Sequence, residues 1–187
     1  MASSSNKPFL AASVTTLLLS SSLLSTSISY STILTPRLLE SPTPLMLTQW
    51  HASYRQGRKS MVPPALLTAA AYAYLATRPG LAKAKAYCYI AAAVLTVGIV
   101  PYTLGVMGKI NRMLQRRAIV VERVGRGEVV AKEEREGLED GEEGAWVKGT
   151  GDNAGSRYLV DQWGFLNLGR SLLLGTGLVL GYVALIY

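Results

Sequence analysis

Four stretches of this chain are too long and too empty of charge for an ordinary soluble domain. Crossing a bilayer as a helix takes about 20 mainly apolar residues. Pro8 to Ile33, Met61 to Thr77 and Ala86 to Gly108 carry no charge, and Trp163 to Tyr187 carries only Arg170. Backbone groups in hydrocarbon must bond within the protein, so only helices and closed barrels span membranes. The two-residue alternation of a barrel is absent. The expected fold is therefore all-α: a four-helix transmembrane bundle, one integral membrane domain over residues 1–187. Its helices are expected at about 8–33, 61–77, 86–108 and 163–187.

Details within the runs refine this picture. Lys7 precedes the first run, as a basic residue precedes a signal peptide, but a signal's apolar core is only about 7–15 residues long. A retained helix is favoured, its serines bonding to their own helix or to a neighbour. Pro63 and Pro64 suit a first helical turn, where a missing N–H is harmless. Pro101 should kink the third helix. Gly177 and Gly181 form a GxxxG pair, which ordinarily means close packing.

Charge is distributed unevenly. The formal net charge is +7, yet eleven of the twelve acids follow Lys109 and the twelfth is Glu40. Bases flanking apolar runs indicate membrane edges rather than nucleic acid, for which no binding module is present. Between the third and fourth helices lies a long charged loop. Lys109 to Arg126 holds six bases and one acid, and Glu128 to Glu143 holds eight acids and two bases. The first part reads as a helix leaving the membrane, and about 122–156 as a charged, partly disordered insert. Ten bases border the first and third loops and four border the other side, which places those two loops in the cytosol.

Cys88 and His51 are each the sole residue of their type. An internal disulfide, a cysteine cluster, the usual zinc sites and a bis-histidine haem are therefore excluded. No metal site is expected.

Polar residues interrupt the apolar pattern at a few places. Trp163, Asn167 and Arg170 share one face of the last helix. Arg170 either snorkels to headgroups or faces the bundle interior beside Asn167, and Trp163 alone is an ordinary interfacial anchor. Asn111 either caps the end of the third helix or completes the same pocket, with Thr103 and Met107 on its face. The first loop holds Gln49, Trp50, His51, Tyr54 and Arg55 within two turns of a short helix. Together these residues read either as a site at one mouth of the bundle or as an aromatic belt.

The stretches QWHASYRQG, PYTLGVMGKINRML and DQWGFLNLGRSLL, in this order between four apolar runs, resemble the anthrone oxygenase family. The resemblance covers roughly residues 10–186, and the acidic insert resembles those of fungal members. The first helix departs from the family pattern, being serine-rich and short of glycine. The resemblance implies oxidation of a polycyclic anthrone to an anthraquinone by O2 in aromatic polyketide (secondary metabolite) biosynthesis, with no metal or flavin cofactor. His51 is then the catalytic base, since imidazole changes charge near neutral pH. Arg170, with Asn167 or Asn111, stabilises the anion, while Trp50, Tyr54 and Trp163 stack on the tricycle. Membrane lipid, the aromatic substrate and other pathway enzymes are the expected partners, in the endoplasmic reticulum. The competing expectation is a non-catalytic membrane accessory or scaffold protein that uses the charged loop as its partner surface.

Overall fold

A computed structural model describes residues 7–131 and 155–187, and every regular element among them is helical. In chain order these are α1 (Lys7–Ser29), a π-helical turn (Tyr30–Leu34), α2 (Thr35–Leu39), α3 (Thr43–Ala76), α4 (Lys83–Val97), α5 (Ile99–Gly105), α6 (Gly108–Gly125) and α7 (Ser156–Ile186). Three helical stretches are long and apolar enough to cross a membrane: Lys7–Leu39, Lys83–Gly105 and Ser156–Ile186. This protein is membrane-associated by that measure. The expected four-span bundle is not reproduced among the described residues. The second expected crossing, 61–77, lies inside α3, whose apolar part is bordered by Arg58 and Lys59 before it and Arg78 after it.

The expected loop over residues 34–60 is mostly helix. The π turn runs directly into α2, and the chain breaks only across Glu40, Ser41 and Pro42 before α3 begins. Proline disfavours helix in the residue before it, which accounts for a break at Ser41. Pro63 and Pro64 lie in the interior of α3 rather than in its first turn. Their missing N–H groups leave the carbonyls of Lys59 and Ser60 without helical partners. Both residues are exposed, so those carbonyls are not sealed in a core. Tertiary burial carries the helix through: Met61, Ala65, Thr68, Ala69, Tyr72 and Leu75 form one buried stripe.

The third expected helix is divided as well. α4 ends at Val97, Gly98 intervenes, and α5 restarts at Ile99. Pro101 is the cause, because it cannot donate to the carbonyl of Val97 four residues earlier. The expected kink is thus a break, with Tyr102 N–H donating to Gly98 O at 3.1 Å. A second break at Val106 and Met107 separates α6, which was expected to continue the same helix. α7 starts at Ser156, earlier than the expected 163. Of the insert expected at about 122–156, residues 132–154 lie outside the described residues.

The chain divides into two units. The first comprises the chain up to Ile28, Lys59–Tyr102 and Gly169–Tyr187; the second comprises Ser29–Arg58 and Thr103–Leu168. In the first unit, α1 is built inside-out relative to a helix of a soluble protein. Ser13, Thr16, Ser20, Leu23 and Ser27 of α1 are buried, whereas Leu10, Val14 and Leu18 are exposed. Their 3-4-3-4 spacing is that of a helix-packing seam. In lipid, small residues in the seam permit close approach and hydroxyls bond across it. Thr16 Oγ1 bonds back to Ala12 O at 2.8 Å, and the Ser171 and Ser27 hydroxyls meet at 2.9 Å. Ser22 Oγ likewise bonds back to Leu18 O at 2.9 Å, so both bonding modes expected of the serines occur.

At the other end of this unit Tyr72, Leu75, Tyr89, Ala92 and Ala184 form a buried cluster. The GxxxG pair serves this packing. A Cβ on Gly177 would lie 3.3 Å from Ala92 O, and one on Gly181 would lie 2.6 Å from the Tyr72 ring. Tyr72 is fully buried and has little room to withdraw. Overpacking of this kind costs about 1–3 kcal/mol. Gly181→Val should therefore lower the melting temperature in detergent, whereas Gly125→Ala, which meets nothing within 4 Å, should not. Equal melting temperatures for Gly181→Val and the parent would refute this close approach.

Candidate functional site

The second unit carries an aromatic group built from three separate segments. On α3, Trp50 and Tyr54 are one helical turn apart, and their rings stack at a centroid distance of 5.2 Å and an interplanar angle of 15°. On α7, Trp163 meets the Trp50 ring edge-on at 5.8 Å and 83°. Tyr30, from the π turn, meets Trp163 in the same way at 6.0 Å and 89°. Such edge-to-face and offset pairs are the favoured aromatic geometries. Trp50 and Trp163 are buried, and Tyr54 is half-buried.

The π turn positions Tyr30. Thr35 N–H and its Oγ1 both reach Tyr30 O, the hydroxyl at 2.8 Å. That five-residue closure widens the helix, and single π turns of this type occur often at functional sites. Ser31 Oγ donates to Gly164 O at 2.8 Å. Gly164 is required there, because a Cβ would lie 2.6 Å from the Thr35 side chain. The start of α7 is also held by Arg157, whose guanidinium donates to Leu39 O and, at 2.9 Å, to Ser41 O. Sequence reasoning missed Tyr30. The available signal was an aromatic residue ending an otherwise aliphatic and serine-rich run.

Polar atoms accompany the rings. Asn167 is fully buried and its Nδ2 donates to Trp163 O at 3.1 Å, one turn back on α7. Asn111, on α6, is buried beside Met107 and Leu114 in sequence. Its Oδ1 and the Trp50 indole N–H have no hydrogen-bond partner among the described residues. A buried polar atom left unpaired costs about 1–3 kcal/mol, so each such atom calls for an explanation. Here the second unit holds one spare donor and one spare acceptor.

The remaining expected site residues are placed differently. His51 follows Trp50 on α3 and is half-buried, about 100° around the helix from the buried indole. Arg170 belongs to the first unit. It is half-buried, and its Nη2 donates to Met61 Sδ at 3.3 Å. The structure thus brings together Trp50, Tyr54, Trp163 and Asn167, and assigns Asn111 to the same unit. Among the described residues, no three His, Cys, Asp or Glu gather where they could hold a metal ion.

The aromatic group is testable by its own fluorescence. In a Trp146→Phe background only Trp50 and Trp163 emit. Gly164→Val should displace Thr35 and the π turn, red-shifting that emission. Gly105→Ala, with open space around it, should leave it unchanged. An unshifted spectrum for Gly164→Val would show that the π turn does not set the burial of these indoles.

No curated protein and no solved structure matches the chain. The family model for anthrone oxygenase matches residues 50–180, beginning at Trp50 and leaving α1 and α2 outside. That span is narrower than the resemblance over 10–186 and still covers more than half of the 187 residues. From that match, the chain belongs to the anthrone oxygenase family.

Proposed function

We propose that this protein oxidises a polycyclic anthrone to the anthraquinone with O2, in aromatic polyketide biosynthesis at an intracellular membrane such as the endoplasmic reticulum. Membership of the family supports an oxygenase. The observation that carries the finer reading is the group of buried Trp50 and Trp163 with half-buried Tyr54 inside the matched segment. Flat aromatic walls suit a flat apolar tricycle. Its phenolic and carbonyl oxygens are matched by the spare indole N–H of Trp50 and the spare Oδ1 of Asn111.

The chemistry follows from the substrate. The anthrone methylene lies between two aromatic rings and is acidic for a carbon acid. A base removes one of its protons to give a delocalised anion. The anion passes one electron to O2, and the resulting radical and superoxide combine at that carbon. Protonation gives a hydroperoxide. Loss of the second C–H proton, with cleavage of the O–O bond and departure of hydroxide, leaves the quinone carbonyl and one water. The electrons balance between anthrone and O2, so the scheme requires no metal or flavin.

His51 is assigned as the base and Arg170 as the cation that stabilises the anion, with Asn167 one turn earlier on α7. Trp50, Tyr54, Trp163 and Asn111 bind and orient the ring system. Membranes containing the protein should convert emodin anthrone to its quinone faster than the spontaneous rate, and a chelator should not slow them. Arg170→Ala should abolish that acceleration while the protein still inserts. Unchanged turnover in His51→Ala would remove His51 as the base. Chelator-sensitive turnover would overturn the cofactor-free scheme.

A second reading, a membrane accessory protein, rests on the charged stretch after α6. Deleting residues 127–156 separates the two: an enzyme keeps its turnover in isolated membranes, and a scaffold has none to keep and loses its partner.

A further inference from the structure

α6 starts three residues after the apolar stretch Lys83–Gly105 ends. At no more than about 3.6 Å of reach per residue, Lys109 stays within roughly 15 Å of that end. One face of α6 is buried in the second unit through Gly108, Asn111, Leu114 and Ala118. A face to one side of it carries Lys109, Arg112, Arg116, Ile119 and Arg123, at spacings of three and four. Lys109, Arg112 and Arg116 are exposed, and Ile119 is 47% exposed among them.

The bases of this helix fall into two groups. Toward its end they are engaged within the protein. Arg123 pairs with Glu128 at 3.0 Å, Arg126 pairs with Glu122, and Arg117 donates to Ser156 Oγ at 2.7 Å. Lys109, Arg112 and Arg116, nearest the apolar stretch, have no acidic partner among the described residues. Leu104 and Val106, just before the helix, are 71% and 51% exposed. An apolar flank leading into an unpaired basic face with an embedded isoleucine is the pattern of a helix lying at a bilayer surface. Bases in that position attract anionic headgroups, and the attraction fades within a Debye length.

We propose that Lys109, Arg112 and Arg116 form a binding face for the phosphate and carboxylate groups of anionic phospholipids in the adjoining leaflet. The occupant is lipid rather than a soluble anion, because the face begins where the membrane stretch ends. The face is separate from the aromatic group and from the oxidation chemistry, so its test does not depend on either.

The test uses the full chain in bilayers of phosphatidylcholine with a minor fraction of phosphatidylserine. Spin-labelled forms of each lipid report relative association with the protein. Wild type should prefer phosphatidylserine by at least about fivefold, roughly what one base contributes near an anionic surface. The preference should fall as salt rises. Lys109→Gln, Arg112→Gln and Arg116→Gln together should bring it close to unity, with melting temperature unchanged because these side chains are exposed. As a control, Arg78→Gln with Lys83→Gln should keep most of the preference. No preference in wild type would overturn the proposal. So would an undiminished preference in the triple variant, or an equal loss in the control.

Discussion

A backbone amide in hydrocarbon has no water to bond, so its partner must come from the chain itself. The described structure is organised around that constraint, which is why every regular element is helical. The departures from ideal helix are informative because each is repaired locally. At the π turn, Thr35 supplies both N–H and hydroxyl to the carbonyl of Tyr30. At Gly98 the chain restarts as α5, so that Pro101 falls in a first turn where no N–H is needed. Within α3, the carbonyls freed by Pro63 and Pro64 belong to exposed residues beside Arg58.

The same constraint explains how the two units use polar side chains. In the first unit, hydroxyls of α1 are turned inward: Thr16 and Ser27 are bonded there, to Ala12 O and to Ser171, whereas Ser13 and Ser20 have no hydrogen-bond partner among the described residues. In the second unit the buried polar side chains include Asn111 and Asn167, and in both units some buried polar atoms, such as Tyr72 OH and Tyr89 OH of the first, have no partner among the described residues. Asn167 is tied to Trp163 O, whereas the Trp50 N–H and Asn111 Oδ1 are left for something other than the described protein atoms. Unspent hydrogen-bonding capacity beside buried aromatics is costly in a core that only has to be stable. It becomes useful when a flat, oxygen-bearing ligand enters, as it does under the proposed reaction.

Arg170 illustrates the limit of face arithmetic. Helical spacing puts it on the side of α7 that carries Trp163 and Asn167, yet it falls in the first unit and they fall in the second. It is half-buried, and one of its contacts is the thioether of Met61. A soft sulfur acceptor does not neutralise a guanidinium.

Sequence alone determined the helical class, three of the apolar spans, the one-turn spacing of Trp50 and Tyr54, and the family. These follow from local chemistry: hydropathy over about 20 residues, the helical period and the residue order of short elements. Tertiary structure decided what local rules misjudge. Residues 43–60 have too many polar side chains to look like a continuation of an apolar helix. They are helical because Met46, Leu47 and Trp50 bury one stripe while the opposite side stays wet. Tyr30 joined the aromatic group only because a π turn and Gly164 bring distant segments into contact. The GxxxG pair gained its meaning from Ala92 and Tyr72, which lie far away in sequence. Such contacts depend on which helices meet, and no window of the chain contains that information.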